Sequence, residues 1–320
     1  MNCRRVLSGA LMALAAMHVA AQSYPVRPVR IIVPFAPGGA TDVLARLFGQ
    51  RLLEWYGQAG AVDNRPGAGG NIGAELVAKA PPDGYTLMMS TASIAVNVSL
   101  YPKLGYDLRR DFAFISQMAS SPLILTVHPS VPVKSVKELV ALAKEKPGSI
   151  DYASAGVGSF QHLGGELFKL VAGVNLQHVP YKGGGPAMQD VIAGHVKVMF
   201  SSLVQTTPFI QSGQLRALGV GGAKRNPVLP DVPTIEEAGV PGYVADNWWG
   251  IVAPAGTPQP IIDKLYRDIQ DVLKSPELTA AFAREGAAAV TMSTADFGKY
   301  MEAEMAKWAR VVKEGNIKAQ

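Results

Sequence analysis

Among its 320 residues the sequence holds one cysteine, Cys3. A single thiol excludes a disulfide framework and a cysteine-ligated metal, and its place near the N-terminus keeps thiol catalysis out of the body of the chain. Metal spacing is also missing: His128, His162, His178 and His195 show no H-E-x-x-H or comparable pattern. No G-K-[ST] follows a glycine loop, which excludes a nucleotide-hydrolysing P-loop, and no G-x-S-x-G elbow is present. No run of lysine and arginine with interleaved aromatics marks a nucleic-acid surface. Heptads, low-complexity tracts and short-period repeats are absent too. The chain is therefore expected to carry no metal, no cofactor and no nucleic acid.

What remains is a globular composition, 48% hydrophobic and 17% charged, and long enough for two domains of ordinary size. Arg4 and Arg5 precede an apolar segment from Val6 to Ala20, and Val19-Ala20-Ala21 offers small residues for cleavage before Gln22. This predicts a secretory signal peptide over residues 1–21 and a periplasmic location, with Cys3 too early in the segment for a lipid anchor. Losing the two arginines lowers the formal charge from +5 to +3. A mildly basic protein suits acidic small molecules.

Strands and helices alternate through the rest, which predicts α/β layers around mostly parallel sheets. The apolar run Val29 to Val33 enters PFAPGGATD, Pro34 to Asp42, with a helix beginning near Thr41 or Asp42. Strands are expected near Thr86–Met89, Phe112–Met118, Leu123–Val127, Asp151–Ser154, Leu176–Tyr181, His195–Phe200, Leu215–Val220 and Trp248–Ala253. Ser90 to Ser93 reads as a small polar loop. Ser135 to Glu138 and Thr234 to Glu237 have capping-box spacing, each predicting a helix. The remaining helices are expected over Thr257–Ser275, Pro276–Arg284 and Thr294–Glu314. The stretch from about Leu125 to Lys224 reads as a βαβ set inserted into a first domain, so that domain 1 comprises 22–124 and 225–320 and domain 2 comprises 125–224. Two chain crossings make a hinge, and the cleft between domains is the usual place for a small ligand.

Four glycine turns lead into helices: Gly38-Gly39, Gly67 to Gly73, Gly156 to Ser159 and Gly183 to Gly185. Glycine lets the backbone approach a ligand closely, and the first amides of a helix are unpaired and electropositive. The pattern points to an anion clamp of backbone amides; ordinary tight βα turns are the alternative.

The motifs PFAPGGATD, NRPGAGGNIGAE, PPDGYTL, SAGVGSFQHLGGELF, HVPYKGGGPAMQDVIAGHV, LPDVPTIEEAG and WWGIVAPAGTP together resemble the tripartite tricarboxylate transporter receptors, the Bug-type (TctC) solute-binding family. The resemblance spans nearly the whole chain after the leader. It implies an α/β, two-domain Venus-flytrap periplasmic-binding-protein fold, type II-like, each domain a sheet flanked by helices. It also implies a monomeric, non-enzymatic solute-binding protein that delivers a mono-, di- or tricarboxylate, or a related compound, to membrane permease subunits. Carboxylate capture in that family relies largely on backbone amides and ordered waters. Carried onto this chain, the holders are Phe35, Gly38, Gly39 and Thr41 or Asp42, with Gly69, Gly70 and Asn71 nearby. The second-domain motif supplies Ala155, Gly156, Gly158, Ser159 and His162. Thr91 and Ser93 form part of the wall, and Ser201 and Ser202 line it.

Several residues keep two readings. Asp42 either caps its helix or accepts from a ligand ammonium or hydroxyl. His162 either donates to ligand oxygens or packs. Tyr181 packs or presents its hydroxyl at the cleft. One of Trp248 and Trp249 is expected to face the core and the other the ligand or hinge. A sensor for a signalling partner, and a periplasmic serine hydrolase built on Ser159, His162 and Glu166, stand as alternative functions. Three members on one helix fit a relay poorly.

Overall fold

The computed structural model describes residues 24–57, 61–314 and 317–318; the expected signal peptide lies outside them. Among the described residues ten strands form one continuous curled system in the order β2-β1-β3-β9-β4-β7-β5-β6, with β8 and β10 (Ala288–Ala289) also paired to β4. In the first half, β1 (Arg30–Val33) lies parallel to β2 (Ala61–Asn64) and β3 (Thr86–Thr91), while β9 (Asp246–Pro254) runs antiparallel to β3. Helices α1 (Ala40–Trp55), α2 (Asn71–Ala78) and α3 (Ala92–Leu100) connect these strands. Helices α8 (Gln259–Leu273), α9 (Pro276–Arg284) and α10 (Thr294–Glu314) close the chain around the same half.

In the second half β5 (Asp151–Ser154) lies parallel to β6 (Gln177–Pro180) and β7 (Val198–Ser202), and β7 and β8 (Arg216–Val220) pair with β4. Helices α4 (Val136–Glu145), α5 (Phe160–Ala172), α6 (Gly184–Ile192) and α7 (Leu203–Gln211) cover it. Parallel strands covered on both faces must be apolar throughout: in β1, Ile31, Ile32 and Val33 are fully buried.

One strand belongs to both halves. β4 (Phe112–Val127) pairs with β9 as far as Pro122 and with β7 and β8 from Leu123 onward. The two separate strands expected at 112–118 and 123–127 are thus one. Pro122 has no amide to donate, and it stands where the strand changes partners. The returning chain crosses beside it: the Leu123 amide donates to Ala245, and Pro122 is opposite Asp246. The segment before that crossing is tied to the second half. Tyr243 is buried against Phe168 and Phe200.

Two local readings need correction. Ser90 to Ser93 is the end of β3 and the start of α3, capped by the Thr91 hydroxyl, which accepts from the Ser93 amide. The Thr234–Glu237 box does form, with the Thr234 hydroxyl accepting from the Glu237 amide and the Glu237 carboxylate from the Thr234 amide. It closes a turn, not a helix, because Gly239 in the left-handed region ends it at once. The Ser135 box caps α4 as expected.

Candidate functional site

Four helices of eight residues or more start at one place. The glycine turn after β1 makes Gly39 the N-cap of α1, with no side-chain bond closing it. Thr91 caps α3, Ser159 caps α5 and Gly183 caps α6. These turns lie at the carboxyl ends of β1, β3, β5 and β6, and the curl of the shared sheet brings them face to face. Between them is a small cavity of about 20 Å³. Gly39, Ala40 and Thr41 line it from α1, Thr91 and Ser93 from α3, Ala155, Phe160 and Gln161 from the α5 turn, and Gly184 from α6, while Phe35 and Asn247 complete the wall. None of these side chains is charged. The positive field comes from helix ends and unpaired first-turn amides.

The halves touch directly. Ala36 donates its amide to the Lys182 carbonyl, Tyr101 its hydroxyl to the Val157 carbonyl at 3.0 Å, and the Phe160 amide donates to Ser93 Oγ at 3.1 Å. Glycine permits this approach: a Cβ on Gly69 would overlap the Val157 carbonyl oxygen, and one on Gly185 the Pro37 carbonyl oxygen. A cavity of this size holds about one water. Outside it lies a cleft of about 570 Å³ that shares Phe35 and Ala155 with the inner cavity and carries Gly69, Gly70, Gly156, Tyr101, Tyr181 and Lys182 on its walls.

The expected residues therefore divide. Phe35, Gly39, Thr41, Thr91, Ser93 and Ala155 line the inner cavity, and Gly69, Gly70 and Gly156 the outer cleft. Gly38 sits in the α1 turn and gives its amide to Asp42. Asp42 turns away from the cavity and accepts from Gly38, Arg46 and Asn64. Burial works against its charge, yet those hydrogen bonds outweigh it and hold its carboxyl below the usual carboxylate range. Its position is the third residue of α1, so it braces the turn and is not the N-cap. Asn71 accepts from Asn97 and Tyr106 and does not line the cavity. The Gly158 amide is taken by His162 Nδ1, and its Cα lies against Asn97.

Ser159 is fully buried and spends its hydroxyl on the His162 amide. The His162 ring leaves the site, stacks on His178 with centroids 4.0 Å apart, and approaches Glu166 at 3.9 Å. Burial pushes its pKa down to about 4, with Glu166 opposing. Ser159, His162 and Glu166 hence form no relay. Ser201 and Ser202 line neither the inner cavity nor the outer cleft; the Ser202 hydroxyl meets that of Ser121. Tyr181 packs with its hydroxyl on Asp190. Both tryptophans are buried away from the cavity: Trp249 Nε1 donates to Thr41 Oγ1 at 3.0 Å, and Trp248 Nε1 to Glu304. Trp249 thus positions a cavity residue without reaching the cavity itself.

Sequence reasoning missed Gln161, the second residue of α5, and Asn247, on β9 where the two halves of the sheet system meet. Asn247 was legible in principle as a polar residue on the same strand face as Trp249 and Ile251.

Comparison with known proteins adds the following. A family model described as the tripartite tricarboxylate transporter family receptor matches residues 44–317. Protein BugT of Bordetella pertussis is 39% identical over 324 residues, covering 99% of this chain and 99% of BugT. The periplasmic binding protein BugD superposes with a TM-score of 0.90 at 35% identity, covering 93% of this chain and 100% of that one. Rpa4515 of R. palustris, solved with adipate, gives a TM-score of 0.89 at 41% identity, covering 92% of this chain and 99% of that one.

Proposed function

The chain belongs to the tripartite tricarboxylate transporter receptor family, a family of periplasmic solute-binding receptors with a two-domain fold, and from that premise we propose that it captures a small carboxylate-bearing organic acid between its lobes and hands it to a membrane permease. The observation that carries this is the convergence of four helix N-termini on one uncharged cavity. A carboxylate there receives several amide hydrogen bonds and a favourable dipole field without a cationic partner. The adipate-bound relative supports a carboxylate in such a site.

In this reading the carboxylate occupies the inner cavity and the body of the ligand extends into the outer cleft beside Lys182 and Tyr181. The lobes divide at the paired crossings, Pro122–Leu123 and Ala245–Asp246, and the protein works as a monomer that binds and releases its ligand unchanged. The leader ends before Gln22, which directs the chain to the periplasm. Among the described residues no helix is long and apolar enough to cross a membrane.

The test is a thermal-shift screen of organic acids on ligand-stripped protein. A ligand held only by the folded state raises its melting temperature by mass action, about 2.7 kcal/mol at a hundred times Kd. Carboxylic acids should shift the transition while their methyl esters and amides do not. Equal shifts from acid and ester would overturn the amide-clamp reading.

A further inference from the structure

Asn247 is a buried polar side chain whose amide oxygen finds no partner in the protein. It is 8% exposed, its Oδ1 is buried without a hydrogen-bond partner, and its side chain lines the inner cavity. It stands on β9 opposite Ser121, at the seam between the two halves of the sheet system. A buried amide with no partner is costly to keep, so such a group in a ligand cavity points to the ligand. The hydroxyls around it are already engaged: Thr41 Oγ1 accepts from Trp249, Thr91 Oγ1 caps α3, and Ser93 Oγ takes the Phe160 amide, while Gln161 shares the cavity wall.

We infer that this protein selects a carboxylic acid bearing a hydroxyl on the carbon next to the carboxylate, and that Asn247 is the residue that reads the hydroxyl. The inference rests on the carboxylate reading above and adds to it the class of acid. A second carboxylate would suit the amide oxygen poorly, because an ionised carboxylate offers only acceptors. A hydroxyl both donates and accepts, so it satisfies the amide whichever way the side chain is turned. The 2-position follows from proximity. Asn247 shares one small cavity with the amides that take the carboxylate, so its partner lies within a bond or two of that group.

Matched pairs test this by calorimetry on ligand-stripped full-length protein: malate against succinate, 2-hydroxybutanoate against butanoate, and mandelate against phenylacetate. At least one hydroxy acid is expected to bind roughly ten- to a hundredfold more tightly than its partner, the range set by leaving a buried polar group unpaired. In Asn247→Leu, close in shape and without polar atoms, that ratio should fall to near one. Asn247→Ala serves if the leucine variant does not fold, and the wild-type ratio is decisive without either. Equal binding of all pairs, or a preference that survives in Asn247→Leu, overturns the inference and leaves the proposed function standing. If no acid of either kind binds while other carboxylates do, the inference alone fails; if no carboxylate binds at all, the proposed function fails with it.

Discussion

At the scale of single residues, the site is made by what side chains leave out. Gly185 is the second residue of α6, with ordinary helical geometry, and the nearest atoms its Cβ would meet all belong to the Pro37–Gly38 backbone of the opposite lobe. Gly185→Ala should therefore fold normally, with a gain of up to about 1 kcal/mol from helix propensity, yet be unable to close. We expect an unchanged or higher melting temperature for the free protein and at least a tenfold loss of affinity by calorimetry; wild-type affinity would show that closure needs no such contact. The glycine turns were legible because a strand running into paired glycines and then a helix has few other uses. Asp42 and His162 were less so, since sequence places them beside the turn but cannot say which way a ring or carboxylate points. Asn247 escaped notice because a lone asparagine beside two tryptophans looks like a strand end until the strand is seen to floor a cavity.

At the scale of elements, α5 ties the site to a buried pair of histidines. His162 from α5 stacks on His178 of β6, which in turn stacks on Tyr152 of β5 and meets Ser154 Oγ at 2.6 Å. Glu166 and Lys169, on the next turn of the helix, complete the surroundings, with Tyr152 donating to Glu166. Burial lowers the pKa of His162 to about 4 and that of His178 to about 3, with His162 and Lys169 adding to the second shift. Both imidazoles are neutral in the fold, while in the unfolded chain they bind protons below about pH 6.5. Stability from this source is thus complete above about pH 6.5 and declines as the pH falls toward 4 and 3. Each histidine contributes on the order of 1.4 kcal/mol per pH unit over its window. Thermal denaturation between pH 7 and 4 should show this slope, and His178→Phe, which keeps a ring in the stack, should flatten it. A wild-type slope in that variant would place the titration elsewhere. Helix α3 was not legible because Ala92 to Leu100 is buried nearly all round and shows no polar face to set a period. The joining of two expected strands into β4 was hidden by Pro122, which ordinarily ends a strand but here marks a change of partners.

At the scale of the molecule, the two lobes meet through backbone contacts at the cleft and through two adjacent crossings at the back, an arrangement suited to hinge motion. Solution scattering should show a smaller radius of gyration at saturating ligand than for stripped protein, and identical profiles would count against a hinge. Alternation of strands and helices made the layered architecture legible, whereas the sharing of one strand was not, because its partners are far away in sequence. That sharing has a kinetic consequence. β4 is complete at residue 127, but its neighbours arrive only at 198–202, 216–220, 246–254 and 288–289. Loops this long must close before pairing is rewarded, which slows folding. During synthesis the half of β4 before Pro122 therefore waits for its β9 partner until residues 246–254 exist, so the central sheet cannot close on a partly made chain.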